Sequence, residues 1–185
     1  MDDIINKSRA QIQKEDLRIA IPIIQSYNPK YILEIGTHRG GSCDLWLKTL
    51  DPELLITIDI SKRGKIADSR VYYLSGVSSH TDEVLNKVKS KLGGHKLDML
   101  FIDGDHSLDA VKADFEMYLP LVKQGGIIVL HDVIWYCLPY AEVSVYWKRI
   151  KHIFPYIEIA MNNNSSGVGI ILNDKFERTE LGSGI

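Results

Sequence analysis

The chain has 185 residues, 45% hydrophobic and 25% charged, an ordinary composition for a folded domain with a buried core. A net charge of −2 gives no overall attraction to nucleic acid or to an anionic membrane, and no apolar run approaches the ~20 residues that cross a bilayer. The opening MDDIINKSRA is polar and mixed in charge, unlike a signal peptide, so a cytoplasmic protein is expected.

In chain order, Ile4–Ser26 carries a helical pattern with Pro22 near its end. Strands are then predicted at Tyr31–Ile35, Leu54–Ile60, Val71–Leu74, Asp98–Ile102, Gly126–His131, Tyr156–Met161 and Val168–Leu172, runs rich in β-branched and aromatic residues. Helices are predicted between them at Gly41–Leu50, Thr81–Leu92, Ser107–Leu119 and Pro139–Ile153. The alternation predicts an α/β fold, a Rossmann-like three-layer αβα sandwich around a mostly parallel seven-stranded sheet. Residues 162–167, NNNSSG, leave no room for a crossover helix, so the last two strands should form an antiparallel C-terminal hairpin. Residues 1–185 read as one domain, with 1–30 an N-terminal helical extension and 174–185 a flexible tail.

Cys43 and Cys137 sit among apolar residues without metal or disulfide spacing and are expected to be buried free thiols. The basic clusters Lys62, Arg63, Lys65 and Lys148, Arg149, Lys151 read as solvated helix faces. Trp135, Tyr136, Tyr140, Tyr146 and Trp147 are either a pocket wall or helical packing.

In such sheets a ligand lies beyond the carboxyl ends of the strands, where strand order reverses. The first strand ends in Gly36, Thr37, His38, Arg39, Gly40, Gly41 and Ser42, and the second in Asp59. The third runs into Gly76, Val77, Ser78 and Ser79, the fourth into Asp103, and the fifth into His131 and Asp132. The glycine turn matches neither G-x-G-x-x-G nor a P-loop. Asp59 lies 23 residues after Gly36, where an acid grips the two hydroxyls of a ribose; the alternative is a helix cap near Ser61. Together they indicate a nucleoside-containing ligand held without a diphosphate clamp.

The set Glu34-x-Gly36-x-x-x-Gly40-x-Ser42, Asp59, Gly76-Val77-Ser78 and LDMLFID (97–103) resembles class I S-adenosylmethionine-dependent methyltransferases. The likeness is to divalent-metal O-methyltransferases of the catechol and caffeoyl-CoA type, and to bacterial small-molecule O-methyltransferases. It covers roughly residues 31–133 and implies a single methyltransferase domain acting on a small-molecule hydroxyl. By this resemblance, Glu34, Gly36 and Ser42, with Thr37 and Gly40 in the same turn, surround the methionine part of S-adenosylmethionine. Asp59 binds its ribose, while Gly76, Ser78 and Ser79 lie beside the adenine, Ser79 standing where the family often has a longer amide. Asp103 borders the cofactor and matches the family's first metal-binding aspartate. Metal ligation by Asp103, His131 and Asp132 is implied, with Mg²⁺ or Mn²⁺ as the cation. His131–Asp132 replaces the family's Asp–Asn, and an imidazole suits Mn²⁺ better than Mg²⁺. His106 stands three residues after Asp103, where the catechol-type enzymes carry a lysine base, and an imidazole does that work at neutral pH. Asp103 and His131 complete the implied catalytic set, His131 either orienting Asp132 or acting as the base. Asp105 carries no implied role.

His38 and Arg39 face either cleft or solvent, and His80 and His95 read as surface loop residues. Two other classes stay open: a nucleotide-sugar or nicotinamide enzyme on a related sheet, and a non-catalytic cofactor-binding subunit. With little chain available for a lid, a homodimer whose second subunit closes the cleft is compatible with the sequence.

Overall fold

A computed structural model describes residues 1–62, 64–134 and 142–174. Five strands, β1 (Tyr31–Ile35), β2 (Leu54–Asp59), β3 (Val71–Ser75), β4 (Leu97–Ile102) and β5 (Val122–His131), run parallel. β6 (Tyr156–Ile159) and β7 (Val168–Leu172) form the antiparallel hairpin, and the sheet order is β3-β2-β1-β4-β5-β7-β6. The order reverses between β1 and β4, which opens a crevice above their carboxyl ends.

β4 shows why this sheet is covered on both sides: all six of its positions are buried, as a central parallel strand requires. Its alternate residues divide between two apolar clusters. Leu100 and Ile102 pack with α4 (Asp82–Leu92), α5 (Leu108–Tyr118) and α6 (Val143–Ile150). Met99 and Phe101 pack with α1 (Asp2–Lys7), α2 (Lys14–Ser26) and α3 (Gly41–Leu50) on the other face. Among the described residues, no helix is long and apolar enough to cross a membrane.

Two differences from the sequence reading have local causes. The expected helix Ile4–Ser26 is two helices, because Ser8 turns extended (ψ 142°) and ends α1. The Ser8 hydroxyl accepts the Ala10 N–H at 3.0 Å, and the Lys14 ammonium donates to the Ser8 carbonyl at 2.6 Å. The connecting residues 8–13 run over the start of α3, where a Cβ on Gly41 would lie 2.3 Å from the Arg9 carbonyl oxygen. α2 itself continues through Pro22. β5 begins at Val122 rather than Gly126, its polar first turn joining the sheet across a register shift at Leu97/Met99.

Tyr146 and Trp147 are buried in packing, the Trp147 ring filling the space a side chain at Gly169 would need. Trp135, Tyr136, Tyr140 and Cys137 lie outside the described residues. Cys43 is a buried free thiol whose pKa burial pushes up to about 12, so it is inert near neutral pH.

The hairpin is tied to α2 by a single buried acid. The Asp16 carboxylate accepts the Met161 N–H at 2.8 Å and the Ser165 hydroxyl. Asp16→Ala leaves these donors behind and is expected to cost about 2–4 kcal/mol of stability, read as a lower urea midpoint with an unchanged slope.

Candidate functional site

A cavity of about 820 Å³ opens above the carboxyl ends of β1–β4. Its centre is the turn after β1, where Gly36 has φ +100° and a Cβ would stand 2.0 Å from the Asp103 carbonyl oxygen. Only glycine permits both that dihedral and that approach. Beyond it, His38 sits at φ 44°, which aims its backbone N–H at Asp59 Oδ2, 2.6 Å away. Asp59 Oδ1 accepts the Ser61 N–H at 2.6 Å, in a turn rather than at a helix start. Burial opposes ionisation of Asp59, but the Ser61 and His38 donors outweigh it and hold the carboxyl below its usual range. It remains charged, with lone pairs free to accept ligand hydroxyls.

Gly36, Thr37, Ser42, Asp59, Ser78, Ser79 and Asp103 border this cavity. Glu34, Gly40 and Gly76 stand behind its wall. Gly40 and Gly76 admit close neighbours: a Cβ would meet the Gly64 carbonyl oxygen at 2.4 Å and the Lys62 side chain at 2.7 Å, respectively. Glu34 is fully buried beneath α3. Its Oε2 accepts the Thr57 hydroxyl at 2.6 Å, and Thr57 in turn meets the Thr37 hydroxyl at 2.5 Å, so a hydroxyl chain links Glu34 to the cavity wall. Oε1 has no hydrogen-bond partner among the described residues. Burial pushes the Glu34 pKa up to about 7 despite hydrogen bonds from Thr57 and Ser42.

The ends of β4 and β5 bring four groups together. His106 Nε2 lies 3.5 Å from Asp103 Oδ1 and 3.3 Å from Asp132 Oδ2. His131 Nδ1 is 3.1 Å from Asp103 Oδ1, and its Nε2 is 3.0 Å from the Ser166 hydroxyl. Asp132 reaches the cluster through a left-handed backbone, φ 59°. Burial works against the Asp103 charge, but His106 and His131 hold its pKa below the usual range. The Asp103 hydrogen bond raises the His106 pKa, and for His131 the neighbouring acids overcome a desolvation that acts the other way. A smaller cavity of about 300 Å³ adjoins this cluster, lined also by Gln11, Gln13, Asn164 and Ser166. Asp103 and His106 border both cavities, so the two spaces meet at these side chains.

Asp103, His131 and Asp132 each offer one ligand atom, all within 4.8 Å of one another. Among the described residues, buried Asp132 Oδ1 accepts no hydrogen bond, and His131 Nδ1 lies 3.5 Å from it; a cation would satisfy this oxygen. The donor set of two carboxylates and an imidazole therefore fits a divalent metal, with softer ions than Mg²⁺ accommodated by the nitrogen.

The sequence reading passed over several residues that the fold delivers here. Arg9 and Gln11 arrive from the strap between α1 and α2, and Asn164 and Ser166 from the hairpin turn. His80 is an exposed turn residue, as read from the sequence, and it also borders the larger cavity and stands 2.9 Å from Asp114. Asp114 was readable as a carboxylate on a helix face that otherwise buries Ala110, Val111, Phe115 and Tyr118. His38 and Arg39 are exposed at the cavity mouth. Asp105 accepts the Ser107 N–H at 2.9 Å, and Glu142 accepts the Leu108 N–H at 2.8 Å, so both acids cap the start of α5.

The sheet order, the glycine turn, the acid ending β2 and the carboxylate–imidazole cluster after β4 define a class I methyltransferase architecture. Residues 33–133 match the family model described as Methyltransferase domain, and the chain belongs to that family. Protein R132 of Acanthamoeba polyphaga mimivirus is 34% identical over 113 residues, 54% of this chain and 50% of that protein. The rhamnosyl O-methyltransferase of Mycobacterium tuberculosis is 29% identical over 122 residues, 60% of this chain and 48% of that protein. The chain thus spans about half the length of the curated relatives it matches. Among solved structures, the MycE methyltransferase of mycinamycin biosynthesis, in complex with Mg, S-adenosylhomocysteine and mycinamycin VI, superposes with a TM-score of 0.67. It is 16% identical, covering 90% of this chain and 51% of MycE, a likeness of fold.

The buried Glu34 makes stability depend on pH. Between its ordinary value of 4.5 and about 7 the folded chain keeps a proton that the unfolded chain has released. Stability therefore falls as pH rises through this window, by an amount on the order of 3 kcal/mol. Urea unfolding at stepped pH is expected to show this decline in the wild type and a flatter profile in Glu34→Gln.

Proposed function

We propose that this chain is an S-adenosylmethionine-dependent methyltransferase that methylates a hydroxyl of a small molecule, with His106 as general base. The observation that carries the reading is the meeting of two cavities at Asp103 and His106. The larger space fits the cofactor, its ribose hydroxyls on Asp59 and its methionine end at Ser42 and the glycine turn. The smaller, polar space fits the acceptor.

Methyl transfer is an in-line displacement, so the protein's tasks are alignment and charge control. His106 takes the proton of the acceptor hydroxyl; the oxygen forms the new C–O bond as the C–S bond breaks, leaving S-adenosylhomocysteine and a methyl ether. Asp103 and Asp132, on either side of His106, stabilise the imidazolium that forms. Asp103, His131 and Asp132 would also hold a divalent cation, which when bound would lower the pKa of a neighbouring hydroxyl and help orient it. The O-methyltransferase activity in the mycobacterial relative's name supports oxygen as the accepting atom. Convergence of Asp103, His106 and Asp132 on one point favours an enzyme over a non-catalytic subunit.

Two measurements test this reading. In calorimetry, Asp59→Ala is expected to weaken S-adenosylhomocysteine binding about 100-fold through loss of hydrogen bonds to a charged group; unchanged affinity would remove Asp59 from the site. A panel of glycosides and phenols, screened by S-adenosylhomocysteine release, should yield an accepted substrate. With it, His106→Ala should lower turnover roughly 10²–10⁴-fold while product affinity stays within about threefold. Chelator treatment should lower turnover and spare product binding; turnover indifferent to chelator would remove the cation from the scheme.

A further inference from the structure

Asp103, His131 and Asp132 account for the candidate cation ligands, but not for how the imidazole among them is held. His131 is 5% exposed, and its two ring nitrogens face different surroundings. Nδ1 lies 3.1 Å from Asp103 Oδ1 and 3.5 Å from Asp132 Oδ1. Nε2 instead meets the Ser166 hydroxyl at 3.0 Å. Backbone places Ser166 there, since its carbonyl accepts the Ile134 N–H at 2.8 Å. Gly167, next in the hairpin turn at φ +82°, packs so closely that a Cβ would stand 2.5 Å from Ile134 Cγ1. The turn is pressed against the segment just after His131, which sets the serine beside the ring.

The direction of the Ser166–His131 contact follows from the groups beyond it. Ser166 Oγ also meets Gln13 Oε1 at 3.4 Å, and Gln13 Nε2 donates to the Asn164 carbonyl at 3.3 Å. A carbonyl only accepts, so the amide nitrogen of Gln13 faces Asn164 and the amide oxygen faces Ser166. That oxygen also only accepts, and it takes the one proton of the Ser166 hydroxyl. The serine oxygen is left with lone pairs for His131, which makes Nε2–H the donor. The Nδ1 lone pair then joins the carboxylate oxygens of Asp103 and Asp132. Three acceptors facing one another call for a positive centre, either a divalent cation or a proton on Nδ1 in its place.

We propose that Ser166, oriented by Gln13 from the strap between α1 and α2, fixes His131 as a cation ligand through Nδ1. Ser166 and Gln13 are positioning residues, acting on the cation only through the imidazole. This rests on the cation set of the proposed function and adds the groups that aim it. Partners of this kind hold the tautomer and ring orientation of a ligating histidine, and losing one costs roughly 10–100-fold in metal affinity.

The test is calorimetry of the full chain with Mn²⁺, with S-adenosylhomocysteine binding as the control. Ser166→Ala removes the acceptor of Nε2–H and should weaken Mn²⁺ binding about 10–100-fold. Gln13→Met, similar in length but without the amide, frees the serine proton to turn towards Nε2 and should weaken it about tenfold. Both variants should bind S-adenosylhomocysteine as the wild type does. In the Zn²⁺-loaded wild type, long-range proton–nitrogen NMR correlations should place the His131 proton on Nε2 and the metal on Nδ1. Unchanged Mn²⁺ affinity in either variant, or the proton on Nδ1 in that spectrum, overturns the inference. Equal weakening of Mn²⁺ and S-adenosylhomocysteine marks a merely structural role and overturns it as well. Should a variant fail to fold, the wild-type spectrum decides alone. A wild type that binds neither Mn²⁺ nor Zn²⁺ overturns the cation set itself, and with it this inference, while retained S-adenosylhomocysteine binding leaves the cofactor site standing.

Discussion

The structure depends on one close approach, the backbone of Gly36 against the carbonyl of Asp103. The turn after β1 and the loop after β4 touch there with no side chain between them. This contact closes the crevice created where strand order reverses, and it joins two functions that belong to different parts of the chain. In the function proposed above, the β1 turn would offer backbone and the start of α3 to the cofactor, and the β4 loop would offer Asp103 and His106. Any side chain at position 36 would force these loops apart. The close spacing of the β1 turn and the β4 loop is therefore a property of glycine, not of packing in general.

Around that contact the charges are arranged by depth. Asp59 is held ionised by backbone N–H groups, with no cation needed. Glu34, one layer deeper, has lost the water that would keep it charged and is linked to the cavity through the hydroxyls of Thr57, Thr37 and Ser42. Asp103 and Asp132 instead face imidazoles. Each acid thus meets a different environment, and the same functional group serves as acceptor, proton holder and candidate ligand.

Much of this was legible in the sequence because parallel strands bury continuous apolar runs and end abruptly in polar residues. LDMLFID announces both β4 and Asp103, and NNNSSG announces the hairpin. The helix boundaries at Gly41–Leu50 and the strands at Tyr31–Ile35 and Val168–Leu172 follow from local signals alone. What stayed hidden was whatever depends on long-range placement. The break after Lys7 carries no glycine or proline; it is stabilised by Ser8, Lys14 and the space over Gly41, none of which is a local stop signal. Gln13 and Ser166 meet across 153 residues, at 3.4 Å, and no periodicity reports that. Asp114 stands on an apolar face of α5, but its partner His80 lies in another loop, so their meeting depends on the fold.

The strap between α1 and α2 has a thermodynamic consequence. Gln11 borders both cavities, and Arg9 and Gln13 reach one each. A ligand that shifts this strap in filling either space changes the affinity of the other, and reciprocity requires the second ligand to return the same factor to the first. Six residues that join two helices thus line both halves of the cleft from outside the strand ends.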